Sequence, residues 1–289
     1  MAEKGEKLGL VIDIKQKNAY EKVEKARDKA RPKVDDYIAM LFRDFFEQKG
    51  DGLGKEDKSI YGGIALFHDM PVTVLGHRKG NSVEENIAYN FGMPGPEGYR
   101  KALRIMKQAE KFNRPIITFV DTPGAYPGLE AEMYGQSQAI ANNLAEMSAL
   151  KVPVISIVTG EGSSGGALGI AVANKVYMLE NAVYSVLSPE GFASILWHDA
   201  SKKAEAAEVM KLTAQDLYDF GIIDGIISEE KMNVDFEYYK KIDKIIDEAI
   251  KSFKKMSGQE IAEQRFLKYR KFDERYLVKE KAAKEMSIS

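Results

Sequence analysis

The chain has 289 residues, 44% hydrophobic and 30% charged, with 42 basic and 44 acidic side chains and a formal net charge of −2. That balance supplies a sizeable core and argues against a surface built for nucleic acid. Cysteine is absent and only His68, His77 and His198 represent histidine, which excludes disulfides, thiolate metal sites and cysteine nucleophiles and leaves no metal site to expect.

No apolar run approaches the ~20 residues needed to span a bilayer. The opening run Met1 to Lys7 lacks the charged-then-apolar order of a signal peptide, so the expected compartment is the cytoplasm. The first 50 residues read as a helical arm. Within it Val34, Tyr37, Ile38, Leu41, Phe42, Phe45 and Phe46 recur at three- and four-residue steps, predicting one helix over 34–48. Two strands are predicted at 61–67 and 72–77, joined by the turn-like His68-Asp69-Met70-Pro71. Pro96 and Glu97 suit the start of a helix reaching Phe112.

The central third repeats one plan. An apolar strand over 115–120 leads to the Gly/Pro-rich loop 121–128 and a helix with Met133, Ile140, Leu144 and Met147 inward. A second apolar strand, 152–158, leads to a glycine loop over 159–164 and a short helix over 165–173. Strands apolar on both faces, alternating with helices, predict a covered parallel sheet. Strands at 176–179 and 183–187 lie so close that a tight connection is expected between them. Short helices at 189–196, 202–210 and 214–219, a strand at 222–227 and two charged helices to about Lys271 complete the plan, before a polar tail. The expected partition is an arm over 1–50, a core over 51–230 and helices with a tail over 231–289, one domain overall.

The segment Gly160-Glu161-Gly162-Ser163-Ser164-Gly165-Gly166-Ala167 admits several readings. Gly160, Gly162 and Gly165 fit a dinucleotide G-x-G-x-x-G, with Glu180 twenty residues on. A phosphate P-loop fails, because Gly166 and Ala167 stand where Lys and Ser or Thr are needed. Gly162 to Gly166 also fits G-x-S-x-G, making Ser164 a candidate hydrolase nucleophile with His68, His77 or His198 as base. The last reading uses only backbone. Gly165 and Gly166 at a helix start present unhindered N–H groups suited to an oxyanion, or they merely permit close helix packing.

Four ordered segments break the tie. Asn90 to Arg104 (NFGMPGPEGYRKALR), Asp121 to Gly128 (DTPGAYPG), the glycine loop and Tyr184 to Gly191 (YSVLSPEG) resemble the α-subunit family of bacterial acetyl-CoA carboxylase carboxyltransferases, with similarity over about 34–229. The resemblance implies an α/β, crotonase-like fold: a superhelix of repeated strand–strand–helix turns between N- and C-terminal helical arms. It implies carboxyl transfer from N-carboxybiotin on a biotin carrier protein to acetyl-CoA, giving malonyl-CoA for fatty acid biosynthesis. It also implies an α2β2 assembly with a β subunit, and a biotin carboxylase in the wider complex. That β subunit is expected to hold the acyl-CoA thioester and the zinc. By resemblance, Gly165 and Gly166 are the catalytic amides, while Gly124, Ala125, Tyr126, Pro127, Gly162, Ser163 and Ser164 line the carboxybiotin site. A related enzyme acting on another acyl-CoA, or a decarboxylase, is the alternative on the same fold. The chain departs from the family at Ser163, usually glycine, at Arg78, where glutamine is common, and at 230–233.

Overall fold

The computed structural model describes residues 19–230, 232 and 236–272. The arm forms α1 (Ala19–Ala26) and α2 (Val34–Leu41), which buries Val34, Tyr37, Ile38 and Leu41. The single helix expected over 34–48 ends early. Phe42 takes extended angles (φ −129°, ψ 154°), and β1 (Arg43–Glu47) follows as an edge strand. The aromatics suit a strand as well as a helix, and pairing decides. β1 runs antiparallel to β2 (Ile60–Phe67), with Phe45 5.0 Å from the Tyr61 ring. β2 and β3 (Met70–His77) form a hairpin turning on His68 and Asp69, both at positive φ as a two-residue hairpin loop requires. The expected four-residue turn is therefore shorter.

After α3 (Val83–Ala88) comes α4 (Pro96–Lys111), then β4 (Ile116–Thr122), which is buried throughout. The helix expected after the Gly/Pro loop is broken by Gly135 (φ 83°) into α5 (Leu129–Met133) and α6 (Gln136–Ala149). Met133 is exposed, and the buried face of α6 is Gln136, Ala139, Asn143 and Met147. Two of those residues are polar because backbone carbonyls await them. Asn143 Nδ2 donates to Tyr99 and Gly169 carbonyls at 3.0 and 2.9 Å, tying α4 and the following helix to α6. An apolar stripe could not have revealed that face.

β5 (Val154–Ser163) runs through most of the segment expected to be a loop. α7 (Ser164–Ala171), β6 (Lys175–Leu179), β7 (Val183–Ser185), α8 (Pro189–Trp197), α9 (Lys203–Met210), α10 (Ala214–Asp219), β8 (Gly225–Ile227) and α11 (Phe236–Ser252) follow, with helical backbone again over 258–272. The polar tail falls outside the described residues. Among those residues no helix is long and apolar enough to cross a membrane.

The sheet order is β1-β2-β3-β4-β5-β6-β8, antiparallel up to β3 and parallel thereafter. β5 has two legs. Ile155 to Val158 pair with β6, whereas Glu161 to Ser163 pair with β7, again in parallel. The tight β6–β7 connection expected above is thus no hairpin: both strands follow successive legs of β5. Leg, leg and helix recur as β6, β7 and α8. One apolar core spans this sheet from Val34 to Ile246, and a smaller cluster joins Ala19, Val23 and Ala26 of α1 to Val183, Ala207 and Leu212.

Candidate active site

β3, β4 and β5 run parallel, so their carboxyl ends open on one side, where open α/β sheets bind ligands. Two segments meet there. Gly166 lies so close to the loop after β4 that an added Cβ would sit 2.4 Å from the Ala125 nitrogen and 2.6 Å from the Gly124 carbonyl carbon. Only glycine permits that approach. Gly165 differs: a Cβ there would touch only the Ile140 side chain, at 3.4 Å, and the residue is half-buried. The packing and oxyanion readings therefore divide between neighbours. Gly166 is required sterically, and Gly165 faces space.

The first turn of α7 begins with Ser164 at φ 57°, an uncommon angle for a residue with a side chain. Its N–H groups have no carbonyl four residues back within the helix. A serine at the N-cap commonly satisfies one of them, but Ser163 makes no such bond. Among the described residues, the amides of Ser164, Gly165 and Gly166 donate to no backbone outside the helix. The positive end of α7 is left unspent.

The Asp121–Gly128 loop is stiff. Thr122 Oγ1 accepts from the Gly124 N–H at 3.0 Å and donates to the Gly124 carbonyl at 2.8 Å. Gln136 Nε2 donates to the carbonyls of Pro94 and Tyr126, both at 2.9 Å, and the Tyr126 N–H donates to Pro94 at 3.0 Å. At Gly124 (φ 140°) an added Cβ would meet nothing within 4 Å, so space lies open over it. Tyr126 and Pro127 are exposed, with the Tyr126 ring lying against Gly128. The expected site residues Gly124, Ala125, Tyr126, Pro127, Ser164, Gly165 and Gly166 thus gather on one corner. Gly162 and Ser163 belong to buried β5 behind it, where Gly162 abuts the Tyr184 ring.

Sequence reasoning missed a layer of buried charge beneath this corner. Lys79 Nζ donates to Asp121 Oδ1 at 2.6 Å and lies 3.5 Å from Glu161, whose other oxygen accepts from Arg27 Nε at 2.7 Å. Burial opposes charge on Lys79 and Asp121, yet their pairing wins, raising the lysine pKa and lowering that of the aspartate. Both therefore stay ionised. A signal existed, since Lys79, Asp121 and Glu161 each stand just past an apolar strand core.

The other readings lose ground here. His68 Nε2 is bonded to Asp243 at 2.9 Å, His77 is buried against the Gly166 backbone, and His198 ends α8, so none hydrogen-bonds to Ser164. Burial lowers the His77 pKa to about 3, which keeps it neutral. For the dinucleotide reading, Gly160 has no room for a phosphate, because Asp121 Oδ1 lies 2.3 Å from where its Cβ would be. Glu180, the candidate ribose acid, accepts from the Glu229 N–H at 3.3 Å.

An uncapped helix start beside open space, at the carboxyl edge of a parallel sheet, is the feature on which this corner is built. Residues 11–273 match the family model described as acetyl co-enzyme A carboxylase carboxyltransferase-like, and the chain belongs to that carboxyltransferase family. It is 57% identical over 255 residues to the acetyl-coenzyme A carboxylase carboxyl transferase subunit alpha of Clostridium botulinum (strain Alaska E43 / Type E3), covering 87% of this chain and 93% of that protein. The Listeria monocytogenes serotype 4b (strain CLIP80459) protein of the same name is 54% identical over 259 residues, covering 88% and 80%. Among solved structures, transcarboxylase 12S matches with a TM-score of 0.65 at 21% identity, over 79% of this chain and 44% of that one. A chain of a Pseudomonas malonate decarboxylase hetero-tetramer matches at 0.63 and 18% identity, over 78% and 92%. The fold is crotonase-like, as expected from the sequence.

Proposed function

We propose that this chain is the α half of an acetyl-CoA carboxylase carboxyltransferase, working with a β subunit as α2β2. In this reading the carboxyl group passes from N-carboxybiotin, on its carrier protein, to acetyl-CoA held mainly by β, giving malonyl-CoA. A biotin carboxylase serves the wider complex, and the zinc belongs to β. The observation that carries the reading is the uncapped, half-exposed first turn of α7 beside the open face of Gly124. The residues present fit a flat, tethered bicycle: free space lies over Gly124 and Gly165, and Tyr126 and Pro127 form a wall.

Carboxybiotin, when bound, supplies an activated carboxyl group and a ureido oxygen that gains negative charge as that group departs. The N–H groups of Gly165 and Gly166 donate to that charge. Gly166, seated on Gly124 and Ala125, keeps the amides from reorienting, which is what makes such donors worth more than water. Tyr126 and Pro127 shield the face from solvent. Exposed Phe91, Leu129, Met133 and Tyr134 border the same corner, an apolar rim suited to a partner subunit.

The test is Gly165→Pro in the reconstituted complex. Proline is tolerated in a first helical turn but lacks the N–H. Turnover is expected to fall about 100- to 1000-fold, with assembly by gel filtration unchanged and the isolated chain inactive. An assembled Gly165→Pro complex with wild-type turnover would refute the amide role.

A further inference from the structure

The catalytic glycines sit at the end of an irregular strand, and the irregularity has its own clamp. Val120 pairs with Val158 and Thr122 with Gly162, so Thr159, Gly160 and Glu161 of β5 lie opposite Asp121 alone. Such bulges bend a strand and re-aim the residues beyond it. Here they deliver β5 to its second partner, β7, and then to Ser164. A buried bulge leaves backbone groups without ladder partners, and two of them are answered by side chains from elsewhere.

The Thr159 carbonyl accepts two bonds from Arg31, from Nε at 3.0 Å and Nη2 at 2.7 Å. The Glu161 N–H donates to Asp121 Oδ1 at 3.0 Å. The Arg31 guanidinium is itself fixed by both oxygens of Glu229, just past β8, and Glu229 also accepts from Asn181, just past β6. The side chains of Arg31 and Glu229 are almost wholly buried. Arg27 adds a second hold by joining Glu161 to Glu190 at the start of α8. Neither arginine reaches Gly165 or Gly166. Both come from the N-terminal arm.

We propose that Arg31, assisted by Arg27, is a positioning residue for the amide pair: by gripping the Thr159 carbonyl it sets the bulge from which α7 is aimed. The inference rests on the carboxyltransferase reading for its kinetic consequence, but not for its structural one. A flat fork donating twice to one carbonyl while pairing bidentately with a carboxylate is a geometry an ammonium cannot copy.

The experiment uses the full chain, alone and reconstituted with its β subunit, and compares wild type with Arg31→Met, Arg31→Lys, Arg31→Ala and Arg27→Met. In the complex, Arg31→Met is expected to lower kcat about 100-fold, the scale of an ångström's misplacement, with KM within about threefold. Arg31→Lys should recover little. Guanidinium ion should restore part of the Arg31→Ala turnover. In the isolated chain, hydrogen exchange in a peptide covering 159–167 should quicken in Arg31→Met, while a peptide from β3 keeps its wild-type rate. Arg27→Met, at a more exposed position, should show the same pattern more weakly and covers the case in which Arg31 variants do not fold. Unchanged kcat and unchanged 159–167 exchange in a folded variant would overturn the proposal, as would uniformly faster exchange throughout the chain. A wild-type complex that transfers no carboxyl group would instead defeat the carboxyltransferase reading, with the exchange result still deciding the clamp.

Discussion

Two buried arginines hold opposite ends of the parallel sheet, and they do so by different chemistry. At the amino ends, Arg265 donates to the carbonyls of Met147, Leu150 and Val152, each at 2.8 Å, and to the Asn174 side chain. Among the described residues no carboxylate hydrogen-bonds to it, and burial pulls its pKa down to about 10. At the carboxyl ends, burial likewise opposes charge on Arg31, but the Glu229 carboxylate outweighs it and raises the pKa. The first is a staple made of dipoles. The second belongs to a charge network that continues through Lys79, Asp121, Glu161 and Arg27. Neutral partners suffice where the strands only need to start together. Fixed charges gather where a backbone must be held out of its regular ladder beside the candidate site.

The largest effect expected from breaking this contrast is Arg265→Met. It leaves three buried carbonyls without their charged donor, and charge-assisted bonds of this kind contribute about 1.5–3 kcal/mol each. A loss of at least about 3 kcal/mol in urea unfolding is expected, with the kcat of whatever remains assembled close to wild type. A kcat collapse with unchanged stability would show that the two ends do not divide structure from positioning.

Next in size is a pH effect at the site end. His77 sits under the corner with its pKa lowered from 6.5 to about 3 by burial. Below pH 6.5 the unfolded chain takes up a proton that the folded chain refuses. Stability therefore falls as pH drops from 6.5 toward 3, by about 2 kcal/mol between pH 7.5 and 5. His77→Leu should flatten that dependence. The same slope in the variant would assign the titration elsewhere.

Much of this was legible before any coordinates. The continuous apolar runs became β4 and β5, Pro96 opened α4, and the four motif segments fell in the expected crotonase-like frame. The features that escaped were decided by partners far along the chain. Arg31 meets Thr159 across 128 positions, and nothing in the local sequence around either announces it. Met147 is buried and Leu144 packs against the core as expected, but Gln136 and Asn143 share the inward face of α6 because they satisfy carbonyls, a task hydrophobic periodicity cannot register. Gly160 and Gly162 predict a loop because glycine disfavours strands, yet Asp121 and the Tyr184 ring occupy the places where side chains would stand. Close approach explains those glycines, and flexibility does not.

The smallest expected effect probes the outer edge of the clamp. Burial pushes the Glu190 pKa up, but Arg27, the helix N-terminus and Tyr20 pull it down to about 2 from an ordinary 4.5. A lowered carboxylate stabilises fully above the ordinary value and loses that contribution as pH falls through the folded one, here between about 4.5 and about 2. Both Arg27 and Glu190 are one-third exposed, with side-chain accessibilities of 33%, so solvent screening holds the contribution below about 1 kcal/mol. The window overlaps the acid side of the His77 titration, so the comparison belongs in the His77→Leu background. There, Glu190→Gln should remove a small residual stability loss between pH 5 and 3, and added salt should shrink it in the parent. Arg27 would keep Glu161 in either case, because that carboxylate is the more buried of its two partners. An acid-dependent loss as large in Glu190→Gln as in its parent would show that Glu190 contributes nothing to the clamp's acid stability.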